Sequence, residues 1–244
     1  MMQSSSTSFY NRSIAGEYPI GSTIKPMIAS AALQEGVITS KTIINDNEGG
    51  IKLSDGTFKK DWATHGLVDL NKAIAESCDT YFYIVAGGYQ GFKGLGINRI
   101  DSYLDSFGLG KKTEIDIPGE TAGFIPTPEW KEEKTGIGWY PGDTYNISIG
   151  QGYMKATPLQ LAMATSSIVN GGNLYKPQLV NSILDKNNNV IEKFEPEVLN
   201  TLSVDPVYLE QVKTAMRQTV SSDKGTARGL QAMPVTSAAK TGTA

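Results

Sequence analysis

The sequence predicts an α+β fold, with helices packed on a mainly antiparallel sheet. Helical patterns dominate the chain, a few strand-like runs come late, and no internal repeat or low-complexity segment interrupts them. A length of 244 residues suits one large domain or two small ones.

The first helix signal is "STIKPMIASAALQEG", where Ile24, Met27, Ile28, Ala31 and Ala32 recur at helical spacing and Gly36 marks the stop. Pro26 fits only if the helix begins close to Ser22, because first-turn N–H groups have no partner within the helix. Residues 45–66 read as irregular or short-hairpin structure, with "SDGT" as a turn. Asp69 caps a helix over "VDLNKAIAE", "SCD" interrupts it, and "TYFYIVAGG" resumes it. "INRIDSYLDSFGLG" is a short amphipathic helix ended by Gly108. "TPLQLAMATSSIVNGG" has Thr157 as cap, Pro158 in the first turn and Gly171 as stop. Two strands flank the Asn-rich turn of "LYKPQLVNSILDKNNNVIEKFE", and an Asp-Pro start opens a helix over "VDPVYLEQVKTAMRQTV". "PVTSAAKTGTA" reads as a terminal strand.

Composition narrows the function. Net charge is −3 with no basic cluster, which gives no reason to expect nucleic acid as a partner. Apolar runs such as "MIASAAL" fall well short of the about 18 residues that a membrane helix needs. "MMQSSSTSFYNRS" has neither the basic start nor the apolar stretch of a secretory signal. One cysteine excludes an internal disulfide, and one histidine makes His65 the sole candidate for any imidazole chemistry.

Three short motifs carry the chemistry. Ser22 and Lys25 stand three apart, on one face of a helix, so the lysine can reach the hydroxyl. Serine becomes a good nucleophile when a neighbouring base takes its proton, and lysine serves as that base when burial or a second cation lowers its pKa. By itself S-x-x-K equally describes a helix cap with a solvated lysine. "SCD" then offers Ser77 and Asp79 on an interrupted helix. "KTGTA" adds a cation, hydroxyls and a glycine against which a ligand can lie. All three in this order make coincidence a poor explanation.

With these motifs the chain resembles the penicillin-binding proteins, whose signature is this ordered set. "NRSIAGEYPIGSTIKP", "AESCDTYFYIVA", "IPTPEWK", "WYPGDTYNISIGQGYMKATPLQLAMA" and "GTARG" are similar to the class B, elongation-type group called penicillin-binding protein 2. The resemblance covers residues 11–244, a partial transpeptidase domain. Residues 1–10 do not resemble the family and are expected to be a disordered leader. It implies the penicillin-binding transpeptidase fold, also that of serine β-lactamases. Ser22 would attack the penultimate D-Ala carbonyl of a stem peptide ending in D-Ala-D-Ala, with neutral Lys25 accepting its proton. Ser77 would relay that proton to the leaving D-Ala. Lys240, Thr241, Gly242 and Thr243 would bind substrate through its terminal carboxylate. Backbone N–H groups of Ser22 and Thr243 would form the oxyanion hole, worth about 3–4 kcal/mol per donor. The acyl-enzyme would pass to an amine of a neighbouring stem peptide, cross-linking the wall, and a β-lactam would remain on Ser22. Asp79 departs from the family's usual Asn: an ionised carboxylate only accepts hydrogen bonds, whereas an amide also donates.

The resemblance also bears on His65 and Cys78. With Asp46 and Asp61 they form an O, O, N, S set suited to tetrahedral zinc. Some elongation-type members hold a zinc near the active site with two Asp, a His and the Cys inside the second motif, although "DWATH" is shorter here than the corresponding loop. Catalysis needs no cofactor; the zinc would be structural, pinning residues 45–66 to the second motif. Partners implied are lipid-linked precursors, β-lactams and a membrane glycosyltransferase of the elongation machinery. The implied location is the inner membrane, with the catalytic domain on its periplasmic side. Family members carry an N-terminal anchor, a pedestal and flanking strands beyond residues 11–244, so the isolated chain is expected to have exposed sheet edges and to bind penicillin weakly. The alternatives are a D,D-carboxypeptidase or β-lactamase-type hydrolase on the same scaffold, or a non-catalytic β-lactam sensor. "EPEVLN" lies too late in the chain to supply a deacylating glutamate, which disfavours the β-lactamase.

Overall fold

A computed structural model describes residues 10–243; the expected leader lies outside them except for Tyr10. After a short helix α1 (Arg12–Ala15), a 3-10 turn over Gly21–Ile24 runs directly into helix α2 (Lys25–Gln34), with Pro26 in its first turn. Every residue from Lys25 to Leu33 is buried. The apolar repeat predicted one buried face, and the small Ala29, Ser30, Ala31 and Ala32 let neighbours close over the others. Gly36 follows the helix at φ +64°, the left-handed backbone typical of a stop.

Residues 44–68 form two antiparallel pairs. Strand β1 (Ile44–Asp46) pairs with β4 (Gly66–Val68), and β2 (Gly50–Lys52) pairs with β3 (Phe58–Lys60) across the turn at Ser54–Gly56. Helix α3 (Leu70–Ala75) is capped by Asp69, whose side chain accepts from Lys72 N. Helix α4 (Asp79–Gly87) restarts immediately after the break, with Cys78 as its cap. Helices α5 (Ile97–Ser106), α6 (Pro128–Thr135), α7 (Pro141–Ser148) and α8 (Pro158–Val169) follow. Of these α6 and α7 went unread in the sequence, although the Thr-Pro and Tyr-Pro starts at 127 and 140 mark them. Strands β5 (Asn173–Tyr175) and β8 (Val198–Thr201) pair around the hairpin of β6 (Ser182–Leu184) and β7 (Val190–Lys193), and helix α9 (Pro206–Ser221) follows.

The pairing is antiparallel, as expected, and occurs in four two-stranded ladders. Helix α2 occupies the middle, contacting α3, α4, α5 and α9. Ile24, Ile28, Ile74, Phe82, Leu104 and Val212 meet there in one hydrophobic core. Each such side chain contributes about 1.5–3 kcal/mol on burial. Among the described residues no helix is long and apolar enough to cross a membrane.

The terminal strand is a correction. Residues 234–243 belong to no ladder. Ala239 N donates to Met216 O in α9, so the segment is anchored through the helix. An extended run becomes a strand only where a neighbour offers matching N–H and C=O groups, and none of the described residues does so here.

Candidate active site

Three glycines draw separate parts of the chain together. Gly21, at φ +54°, donates its N–H to the Gly150 carbonyl at 3.0 Å. A Cβ on Gly21 would collide with the Thr243 backbone, one on Gly150 with the Gly21 backbone, and one on Gly242 with the Ile20 carbonyl. A side chain at Gly21 or Gly242 would push the "KTGT" segment away from the turn that carries Ser22, and one at Gly150 would push that turn away from the loop around Gly150.

Ser77 links α3 to α4 in the left-handed region, φ +58°. For a residue with a side chain this conformation costs on the order of 1–3 kcal/mol. It buries the hydroxyl between two ammonium groups: Lys25 Nζ lies 3.2 Å and Lys240 Nζ 2.8 Å from Ser77 Oγ. The Ser77 carbonyl accepts from Lys25 at 2.8 Å and from the Trp62 indole at 3.0 Å. Lys25 also meets Asp79 Oδ1 at 2.5 Å. Asp79 opens α4, where the helix dipole favours its negative charge.

Burial lowers the Lys25 pKa, and the facing Asp79 offsets this only in part. Burial likewise raises Asp79, against the pull of Lys25. Both directions bring the pair closer to sharing its proton as two neutral groups. Lys240 is lowered to about 7, by burial first and by Lys25 second. The expected contact between Lys25 and the Ser22 hydroxyl is replaced. Its three hydrogen bonds go to Ser77 and Asp79, because the extended side chain finds stronger acceptors beyond the neighbouring turn.

Ser22, Ser77, Asp79, Thr241 and Thr243 line one cavity of about 470 Å³, together with Trp62, Gln151 and Thr226. Sequence reasoning assigned no role to these last three. Thr226, within "GTARG", exchanges a hydrogen bond with the Thr241 hydroxyl at 2.8 Å. Trp62 and Gln151 stand within "DWATH" and "SIGQGY", so the signal was present without a function attached. Glu197 of "EPEVLN" lies elsewhere and pairs with Lys176 at 3.3 Å.

Behind the cavity wall the four expected metal ligands come together. Asp46 ends β1, Asp61 follows β3, His65 precedes β4 and Cys78 caps α4. All are buried, with one donor atom from each within 4.8 Å of the others. Cys78 Sγ stands 3.3 Å from Asp61 Oδ2, and His65 Nε2 lies 3.6 Å from Asp61 Oδ1. Asp46 Oδ1 and His65 Nε2 are buried without a hydrogen-bond partner. His65 Nδ1 faces Glu76 Oε2 at 3.0 Å, which leaves Nε2 turned inward. Burial and the charge of Asp61 push the Cys78 thiol up, so a thiolate there requires a cation. The short "DWATH" loop suffices for this arrangement.

The family model described as the penicillin-binding protein transpeptidase domain matches residues 1–244. The chain belongs to this family. It is 38% identical over 238 residues to the peptidoglycan D,D-transpeptidase MrdA of Acinetobacter baumannii, covering 96% of this chain and 34% of that protein. The chain thus spans about a third of the length of this relative. A crystal structure of Pseudomonas aeruginosa PBP2 in complex with WCK 5153 superposes with TM-score 0.80 at 36% identity, over 92% of this chain and 49% of that one. PBP2 of Helicobacter pylori in complex with MreC gives 0.81 at 31% identity, over 96% and 41%.

Proposed function

We propose that this chain is the catalytic domain of an elongation-type, serine-dependent peptidoglycan D,D-transpeptidase. The observation that carries the reading is Ser77, held between Lys25 and Lys240 in the cavity that Ser22 lines. In the first half-reaction Ser22 Oγ attacks the penultimate D-Ala carbonyl of a stem peptide. Its proton passes to neutral Lys25 and, through Ser77, to the nitrogen of the leaving D-Ala. Lys25 becomes competent once its proton moves to Asp79 and its amine swings back toward Ser22. The Ser22 and Thr243 N–H groups receive the developing oxyanion. Lys240, Thr241 and Thr243 hold the terminal carboxylate, and Gly242 keeps their backbone close to Ser22. In the second half-reaction an acceptor amine attacks the acyl carbon and releases Ser22.

The buried pair of unpartnered atoms, Asp46 Oδ1 and His65 Nε2, fits a bound cation. Asp46, Asp61, His65 and Cys78 would hold zinc tetrahedrally. Such an ion supplies a structural link between the β1–β4 segment and the start of α4, and no catalytic step passes through it. The likeness to PBP2 supports a membrane-bound, periplasmic-facing location and a glycosyltransferase partner. The H. pylori PBP2 complex with MreC makes a protein similar to MreC a second candidate partner.

Fluorescent penicillin tests the reading. The full-length protein should be labelled at Ser22 and hold the label, and Ser22→Ala should lose it entirely. Rapid release of the label would favour the hydrolase. Stable labelling without cross-linking of stem peptides would favour the sensor.

A further inference from the structure

Three neighbouring cavities share lining residues, starting from the one that Ser22 lines. The catalytic cavity shares Gln151 with an open groove of about 520 Å³ that Lys59, Lys60, Tyr83, Tyr140 and Asn146 help to line. That groove shares Leu53, Tyr140 and Gly142 with a larger cavity of about 850 Å³, walled by Lys52, Tyr89 and Tyr145. The shared residues lay out a path from the nucleophile across the β2–β3 hairpin and the start of α7.

The path is cationic. Among the described residues no carboxylate forms an ion pair with Lys52, Lys59 or Lys60. Lys131, which also borders it, is neutralised by Asp143 at 2.6 Å. Asp55 is engaged by its own turn, accepting from Thr57 N at 2.8 Å. Lys59 is held firmly: its Nζ sits 4.8 Å from the centre of the Tyr83 ring and donates to Asn146 Oδ1 at 2.6 Å. An ammonium has three donors, so two remain for a ligand. Exposed Tyr140 lines the same groove, with the Lys131 ammonium 5.1 Å from the centre of its ring.

The second half-reaction needs such a path. An acceptor amine forms a bond to the acyl carbon, the bond from that carbon to Ser22 Oγ breaks, and one amine proton ends on Ser22 Oγ. The peptide carrying that amine is anionic through its carboxylates. We propose that the groove is the acceptor subsite for an anionic stem peptide, with Lys59 and Lys60 binding its carboxylates and Tyr140 covering its backbone. The amine then passes Gln151 to reach the acyl-Ser22. This rests on the transpeptidase reading.

Two acceptors test it in the full-length protein: a stem peptide with free carboxylates, and the same peptide with those carboxylates amidated. With a common D-Ala-D-Ala donor, the wild-type protein should use the carboxylate form at about tenfold lower concentration, the scale of one charge-assisted hydrogen bond. Lys59→Met and the exposed-site variant Lys60→Glu should each shrink that preference toward unity, while penicillin acylates Ser22 within about twofold of the wild-type rate. No preference in the wild type, or a preference that survives both variants, overturns the subsite. An equal loss of penicillin acylation in both variants also overturns it, since the groove would then serve the donor. Absence of any Ser22 acylation in the wild type instead overturns the transpeptidase reading and this inference with it.

Discussion

The tripeptide Ser77-Cys78-Asp79 feeds two buried polar clusters of opposite character. On one side Ser77 and Asp79 face Lys25 and Lys240, and every ammonium has hydrogen-bond acceptors within 3.2 Å. On the other side Cys78 joins two aspartates and a histidine, and two polar atoms are left without partners. A self-satisfied cluster with opposed pKa shifts can exchange protons without rearranging its frame. A buried cluster with orphaned atoms carries a cost of about 1–3 kcal/mol for each of them, which a bound cation would relieve. One side of the turn gathers ammonium groups around a hydroxyl and a carboxylate, the other gathers metal-ligating atoms.

The largest effect should come from the first cluster. Lys25→Met should slow penicillin acylation of Ser22 by about 10²–10⁴-fold, the usual contribution of a positioned base. A smaller loss, read from stopped-flow or gel labelling, would mean that another group takes the serine proton. The pH profile sharpens this. Lys25 acts when neutral and its pKa is lowered, so acylation should rise with pH and level off before the ordinary lysine value of 10.5. Lys240 acts when charged, and at about 7 in the free protein it loses that charge as pH rises, giving a descending alkaline limb in kcat/KM. Lys240→Arg, which stays protonated, should flatten that limb. An unchanged limb would remove Lys240 from carboxylate binding.

The second cluster should respond to metal and leave acylation chemistry alone. Stripping zinc from the holoprotein should lower Tm by about 5–10 °C. That follows from about 2.7 kcal/mol of linkage at a hundredfold excess over Kd, and about 2–4 °C per kcal/mol for a chain of this size. A chelator that leaves Tm unmoved, with no metal found by elemental analysis, would break the comparison. The smallest effect belongs to Glu76, which orients the His65 ring through Nδ1 at 3.0 Å. Glu76→Gln should weaken zinc by about tenfold in chelator competition. The acylation rate at saturating zinc should stay put; a parallel fall in both would mean that the two clusters are one unit.

Much of the site was legible because its motifs are local. Ser22 and Lys25 share a turn, Ser77 and Asp79 flank a helix restart, and caps such as Asp69 and Thr157 declare themselves within a few residues. What escaped was long-range. Lys25 turns to Ser77 and Asp79 rather than to Ser22, a choice set by acceptors more than fifty positions away. Trp62, Gln151 and Thr226 enter the cavity only through packing of three separate segments. The segment 234–243 looked like a strand from its composition, yet pairing depends on a neighbour that composition does not describe.

By itself the sequence determined most of the helices, the antiparallel character of the strands and the three short motifs, all of which rest on short-range spacing and side-chain chemistry. Tertiary structure alone decided their electrostatics. It buried Lys25 completely, brought Lys240 to the same hydroxyl, and closed four distant acceptors around one point. The physical reason is that desolvation and charge pairing depend on which surfaces meet, and that is settled by backbone contacts such as those at Gly21, Gly150 and Gly242.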